Sequence, residues 1–105
     1  MNAIWKYPLT DEETEIEAPI EQFLTVQIQD GVPCVWAIVN PDKMPRKYKI
    51  ALIGTGWECQ RIDVSKYIGT VQGGMSVWHC FWDNISPRKT VNEPAFALFS
   101  SSQFK

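Results

Sequence analysis

The sequence predicts a small all-β or β-dominated α+β domain, a sandwich or partly open barrel built from two β-hairpins with flanking strands. Three observations predict it. Helical periodicity is almost absent from the 105 residues, and the apolar residues alternate with period two instead. Pro, Gly, Asn and Asp end each run after a short interval. Two of the breaks, Asp30-Gly31 and Gly73-Gly74, have the composition of tight hairpin turns.

Length and composition fit one folded domain. A chain of this size buries roughly 60–70% of its unfolded surface, enough for one core without staples. Apolar residues make up 45% and charged residues 21%, ordinary for a globular protein.

Taken in order, AIWKY (3–7) is a first short strand, halted by Pro8. TEIEA (14–18) alternates weakly, as an edge strand whose glutamates discourage edge pairing. FLTVQIQDGVPCVWAIVN (23–40) is a hairpin about Asp30-Gly31. In that register Val26 faces Val35 and Leu24 faces Ala37, and with Ile28 and Pro33 they form an apolar face for the core. The opposite face pairs Thr25 with Trp36, Gln27 with Cys34, and Phe23 with Ile38. That mixture is too apolar for bare solvent and too polar for a deep core, and such faces commonly meet a partner or ligand. NPDKMPRK (40–47) is a loop, and KYKIALIGTG (47–56) is a strand ended by two glycines. WECQRIDVSKY (57–67) fits either an irregular loop or a single helical turn near Asp63–Lys66. YIGTVQGGMSVWHCFW (67–82) is the second hairpin, turning at Gly73-Gly74. After it the pattern weakens. Residues 1–85 form the β domain, and 86–105 a C-terminal extension, linker-like at SPRKTVNEPA with FALF as an added strand or arm.

Charge and cysteine usage remove several function classes. The net charge of −2 gives no general attraction to polymeric nucleic acid or anionic lipid. Its distribution is uneven, with six acids and no base over residues 11–21 and six bases against two acids over 43–66. Two solvated faces, a local basic rim, or acid–base pairing between subunits all fit that pattern. Cys34, Cys59 and Cys80 form no CxxC pair, so neither a disulfide framework nor a zinc site is expected, and the thiols are expected to stay reduced. No apolar run has the length of a signal sequence or a membrane span, and a cytoplasmic location is the expectation.

The candidate sites are few. IGTGWEC carries GxG without a third glycine or a following helix, which makes a strand-ending turn a better reading than a dinucleotide site. His79 and Cys80 are neighbours on a strand, so their side chains point to opposite faces and form no dyad. One histidine and three scattered cysteines make no metal centre. An enzyme is not expected, and neither is a cofactor. The aromatic residues are the stronger signal: Trp5, Trp36, Trp57, Trp78 and Trp82. Core filling is the expectation for Trp5 and Trp82. Trp57 sits on a glycine-bounded turn that favours exposure. Trp36, Trp57 and Trp78, with Arg61, Lys66 and His79, are the candidate binding residues, able to stack a base beside a cation or to anchor a protein partner.

Five ordered blocks carry a resemblance: IWKYPL (4–9), VQIQDGVPCVWAIVNP (26–41), IGTG (53–56) and YIGTVQGGMSVWH (67–79), with a short acidic strand after the first. In that order and spacing, over roughly residues 3–82, the chain resembles a family of small phage and prophage proteins of unknown function. The departures are Asn40, Trp78 and the added tail. The resemblance implies a phage-encoded, β-rich protein in the cytoplasm of a bacterial host, with no catalytic residues to carry over. That setting, with a tryptophan-bearing mixed face, gives the functional expectation. It is a non-enzymatic binder that counteracts host defence, by sequestering a small nucleotide signal or by blocking a host defence protein. Strands apolar on both faces add a homo-oligomer to the expected partners. A homo-oligomeric assembly accessory of the phage is the alternative, and a small enzyme stands behind both.

Overall fold

The computed structural model describes residues 1–59 and 61–83 and the backbone of 87–88. It is a small β sandwich of two antiparallel sheets. The first sheet has the order β1 (Ala3–Pro8), β4 (Val32–Val39), β3 (Ile20–Gln29). The second has the order β2 (Glu13–Ala18), β5 (Arg46–Gly54), β8 (Ser76–Trp82), β7 (Tyr67–Gly73). A two-residue pairing of β6 (Glu58–Cys59) with β9 (Pro87–Arg88) lies beside them. Pro87–Arg88 falls in the stretch expected to be a linker; the rest of that extension, with FALF, lies outside the described residues.

Alternation explains the core. Val35, Ala37 and Val39 of β4 and Val26 of β3 are buried. They meet Ile50 and Leu52 of β5, Trp78 and Cys80 of β8 and Val71 of β7 from the other sheet, with Leu9 and Trp57 closing the cluster. Burying a side chain of this size stabilises the fold by roughly 1.5–3 kcal/mol. Acidic β2 lies at the edge of its sheet, with Glu15 opposite Lys49 and Glu17 opposite Lys47. Cross-strand pairs of opposite charge add a little stability there.

The first hairpin turns at Asp30 and Gly31, both with positive φ (52° and 80°), as a type I′ turn requires. Val26 pairs with Val35, Gln27 with Cys34 and Thr25 with Trp36. Beyond Thr25 the expected register is corrected. A β-bulge at Leu24 sets Phe23, not Leu24, opposite Ala37, and Gln22, not Phe23, opposite Ile38. The inserted residue changes which side chains face inward. Phe23 packs against the core and Leu24 is 41% exposed. In the second hairpin the turn lies one residue later than expected. Gly73 pairs with Ser76, so Gly74 and Met75 form the tip, with φ of 62° at Gly74.

The tryptophans also depart from expectation. Trp57 and Trp78 are 9% and 0% exposed, packed edge-to-face with ring centroids 5.4 Å apart. Trp5, at the edge of its sheet, is 43% exposed. Trp82 is half-buried and packs against the core beside Phe23 and Tyr48. A strand at the edge of a sandwich leaves even its inward residues near solvent, whereas β8, between β5 and β7, is covered on its inner face.

Candidate functional site

The site grows out of the alternation in SVWHCFW. Trp78 and Cys80 enter the space between the sheets, and Val77, His79 and Phe81 alternate to the other side of the four-stranded sheet, where Phe81 is nevertheless buried and Val77 and His79 are partly exposed. Pairing of β7 with β8 sets Thr70 directly opposite His79. Pairing of β5 with β8 sets Ile53 opposite His79 and Gly54 opposite Trp78, and from the turn that follows the Thr55 side chain reaches back to His79.

A tight turn holds Thr55 in place. Trp57 N–H donates to the Gly54 carbonyl at 3.1 Å, and Gly56 has φ of 90°. This is a type II turn with glycine at the position that needs positive φ. Thr55 N–H donates to the Val77 carbonyl at 3.2 Å, tying the turn to β8. Gly54 is required for a different reason. A Cβ there would come within 2.7 Å of the Trp57 indole. Trp57 therefore underpins the turn that presents Thr55.

Four polar side chains form one hydrogen-bonded chain. Tyr67 Oη is 2.5 Å from Thr70 Oγ1, Thr70 Oγ1 is 3.1 Å from His79 Nδ1, and His79 Nε2 is 2.7 Å from Thr55 Oγ1. Both imidazole nitrogens are engaged by hydroxyls, each able to donate or accept. This row floors a groove of about 360 Å³ with walls from Ile53, Ile62, Tyr67 and Phe81. Tyr67 and Phe81 stack edge-on at 5.4 Å. The arrangement offers apolar contact to a ligand body and hydrogen bonds to its edge.

The thiols are not part of it. Burial pushes the Cys80 thiol up to about 12, and burial also raises Cys34 and Cys59. A thiol held protonated is a poor nucleophile. Among the described residues no group of three or more His, Cys, Asp or Glu is placed to hold a metal ion. No described helix is long and apolar enough to cross a membrane.

The six residues expected to bind do not come together. His79 floors the groove. Trp57 and Trp78 lie beneath it in the core, which corrects the exposed position expected of Trp57 and leaves neither indole as a stacking platform. Trp36 is half-buried on the outer face of the other sheet, beside Lys6 and Thr25. Lys66 ends a single 3-10 turn, Val64–Lys66, capped by Asp63, whose carboxylate is held below its usual range by the Ser65 hydroxyl. Its Nζ lies 3.7 Å from the centroid of the Trp82 ring, a cation–π contact away from His79. Arg61 is exposed, one residue before the groove wall at Ile62. Thr55, Thr70 and Tyr67 were not singled out from the sequence. Threonine is common in strands and turns, and a turn placed at Gly73-Gly74 sets Ile68, not Thr70, opposite His79.

Searches among curated proteins and among solved structures give no match. The family model of DUF7352, a domain of unknown function, matches residues 1–90, and the chain belongs to that family.

Proposed function

We propose that the protein is a phage-encoded binding protein that counteracts a host antiviral defence by holding a small nucleotide signal in the groove floored by His79. The groove carries this reading. At about 360 Å³ it is at the small end of ligand sites, which run from roughly 300 to 1,000 Å³. It joins apolar walls to convergent hydrogen-bonding groups, the usual composition of such sites. In this reading the flat contact comes from Tyr67 and Phe81 in place of the tryptophans. Arg61, next in the chain to Ile62, supplies positive charge at the rim. The phage setting rests on the ordered sequence blocks. Thermal-shift assays with cyclic nucleotides and ADP-ribose derivatives test the proposal. One member should raise the melting temperature of the wild type and fail to do so with Thr70→Val or His79→Gln. No shift with any member at millimolar concentration would sink it.

A separate surface favours a second reading. The outer face of the three-stranded sheet carries Ile4, 62% exposed, beside half-buried Trp36 and Ile38. An apolar patch on a sheet suits a protein partner. A second copy of the chain makes the protein a homo-oligomeric accessory, and a host protein makes it a direct inhibitor. Light scattering separates the two: Trp36→Glu should lower the mass of an oligomer and leave a monomer unchanged.

A further inference from the structure

We infer that Thr55 is a nucleophile primed by His79, and that the groove accepts a small acyl group from an activated ester onto the Thr55 hydroxyl. This goes beyond ligand binding and does not depend on the nucleotide reading. The argument begins with the two distances at the imidazole. Thr55 Oγ1 lies 2.7 Å from His79 Nε2, within hydrogen-bond distance. Thr70 Oγ1 lies 3.1 Å from Nδ1, also within hydrogen-bond distance. With the proton on Nε2 the Thr55 hydroxyl is left to the Val77 carbonyl, 3.4 Å away; a nucleophilic role requires the proton on Nδ1, so that Thr55 O–H donates to Nε2 and Nδ1–H donates to Thr70. This is the connectivity of an activated nucleophile: hydroxyl to base, and base to a third group that fixes its tautomer.

The surroundings fit the chemistry. Thr55 is exposed at a turn, and His79 is fixed between β5 and β7 on a central strand. The apolar walls at Ile53, Ile62 and Phe81 lie beside the hydroxyl. Gly56 follows Thr55 and also lines the groove. Its peptide N–H stands in the chain where other acyl-transfer sites place a donor for the developing oxyanion.

The step balances without a co-reactant. Thr55 Oγ1 attacks the ester carbonyl carbon as His79 Nε2 takes the hydroxyl proton. The tetrahedral intermediate collapses, the bond to the leaving oxygen breaks, and Nε2 returns the proton to that oxygen. The products are a Thr55 ester and an alcohol. Thr70 is a positioning residue that acts through Nδ1.

The test treats the full chain with p-nitrophenyl acetate, follows nitrophenol release, and maps the acetyl group by mass spectrometry. Thr55 should be acetylated at least about 100-fold faster than exposed Thr10 in the same molecule, the lower end of what a positioned base contributes. His79→Gln should remove that advantage with the melting curve unchanged. Thr70→Val should slow acetylation and Thr70→Ser should restore it, a rescue that a purely structural role does not predict. Labelling of Thr55 at the rate of Thr10 would overturn the inference in the wild type alone. Equal labelling in His79→Gln would overturn it too.

Discussion

Trp78 and His79 are adjacent in the chain and belong to different parts of the molecule. Trp78 is fully buried against Trp57, in a layer of apolar atoms from both sheets. His79 lies on the other side of the same strand, half-buried, with its ring nitrogens at the Thr55 and Thr70 hydroxyls. The inner face supplies stability and fixes the backbone. The outer face carries the polar groups, beside the buried side chains of Ile53 and Phe81. The two are joined through the turn after β5, where Gly54 touches the Trp57 ring from one side and Thr55 reaches His79 from the other. Core packing beneath the sheet therefore sets the geometry of the groove above it.

The comparison is broken most directly at Trp78. Trp78→Ala should cost about 3–5 kcal/mol, measured by urea unfolding, because a large side chain is removed from a closed core. Domains of this size are stable by only about 5–15 kcal/mol, so the variant should be close to unfolding at 37 °C. A loss below about 1 kcal/mol would mean that the inner face is not the main core.

Cys80 tests the same face by pH. Its thiol is pushed from 9.0 up to about 12 by burial, so the native state keeps the proton longer than the unfolded chain does. Above pH 9 the unfolded state binds fewer protons, and stability falls as pH rises. The contribution is complete below pH 9 and lost progressively up to about pH 12, at most about 4 kcal/mol for three units. Urea midpoints at pH 8 and pH 10.5 should separate more in the wild type than in Cys80→Ala. Burial also raises Cys34, Cys59 and Tyr7, so the variant should keep a smaller dependence of the same sign. Identical pH dependence in both proteins would remove Cys80 as the source.

Gly54→Ala probes the junction between the faces. The added methyl meets the rigid Trp57 indole at 2.7 Å, and that ring is wedged against Trp78. Overpacking of this kind costs about 1–3 kcal/mol. The same displacement moves the turn carrying Thr55, so the His79 side-chain NMR signals should shift as well. Destabilisation with unchanged His79 signals would show that the two faces are independent.

How much of this was legible in the sequence follows from the range of each interaction. The first hairpin was readable because Asp30-Gly31 sets its own register locally, and alternation was enough to separate His79 from Cys80. The bulge at Leu24 was not readable, since nothing in FLTV marks an inserted residue. In the second hairpin a one-residue error in the turn was enough to hide Thr70 behind Ile68. Gly73 and Gly74 are equally suited to turns, and Met75 gives no sign that it occupies the tip. The burial of Trp57 and Trp78 depends on β5 pairing with β8 across more than twenty residues. A glycine-bounded tryptophan looks exposed until that pairing shows Gly54 to be the slot for its ring.

The smallest expected effect is the most informative about the outer face. His79→Gln removes a pair of exposed side-chain hydrogen bonds, and glutamine can still bond one threonine hydroxyl. A net hydrogen bond is worth about 0.5–1.5 kcal/mol, so stability should change by no more than about 1 kcal/mol. The urea midpoint should stay near that of the wild type, and the near-UV circular dichroism of the buried tryptophans should not change. Ligand stabilisation through the groove should nevertheless fall, because both Thr55 and Thr70 lose the ring that orients them. A loss of 3 kcal/mol or more would place His79 with Trp78 as a structural residue and erase the distinction between the two faces. Near-wild-type stability with the groove functionally silenced would sharpen it, assigning the fold to one side of β8 and the chemistry to the other.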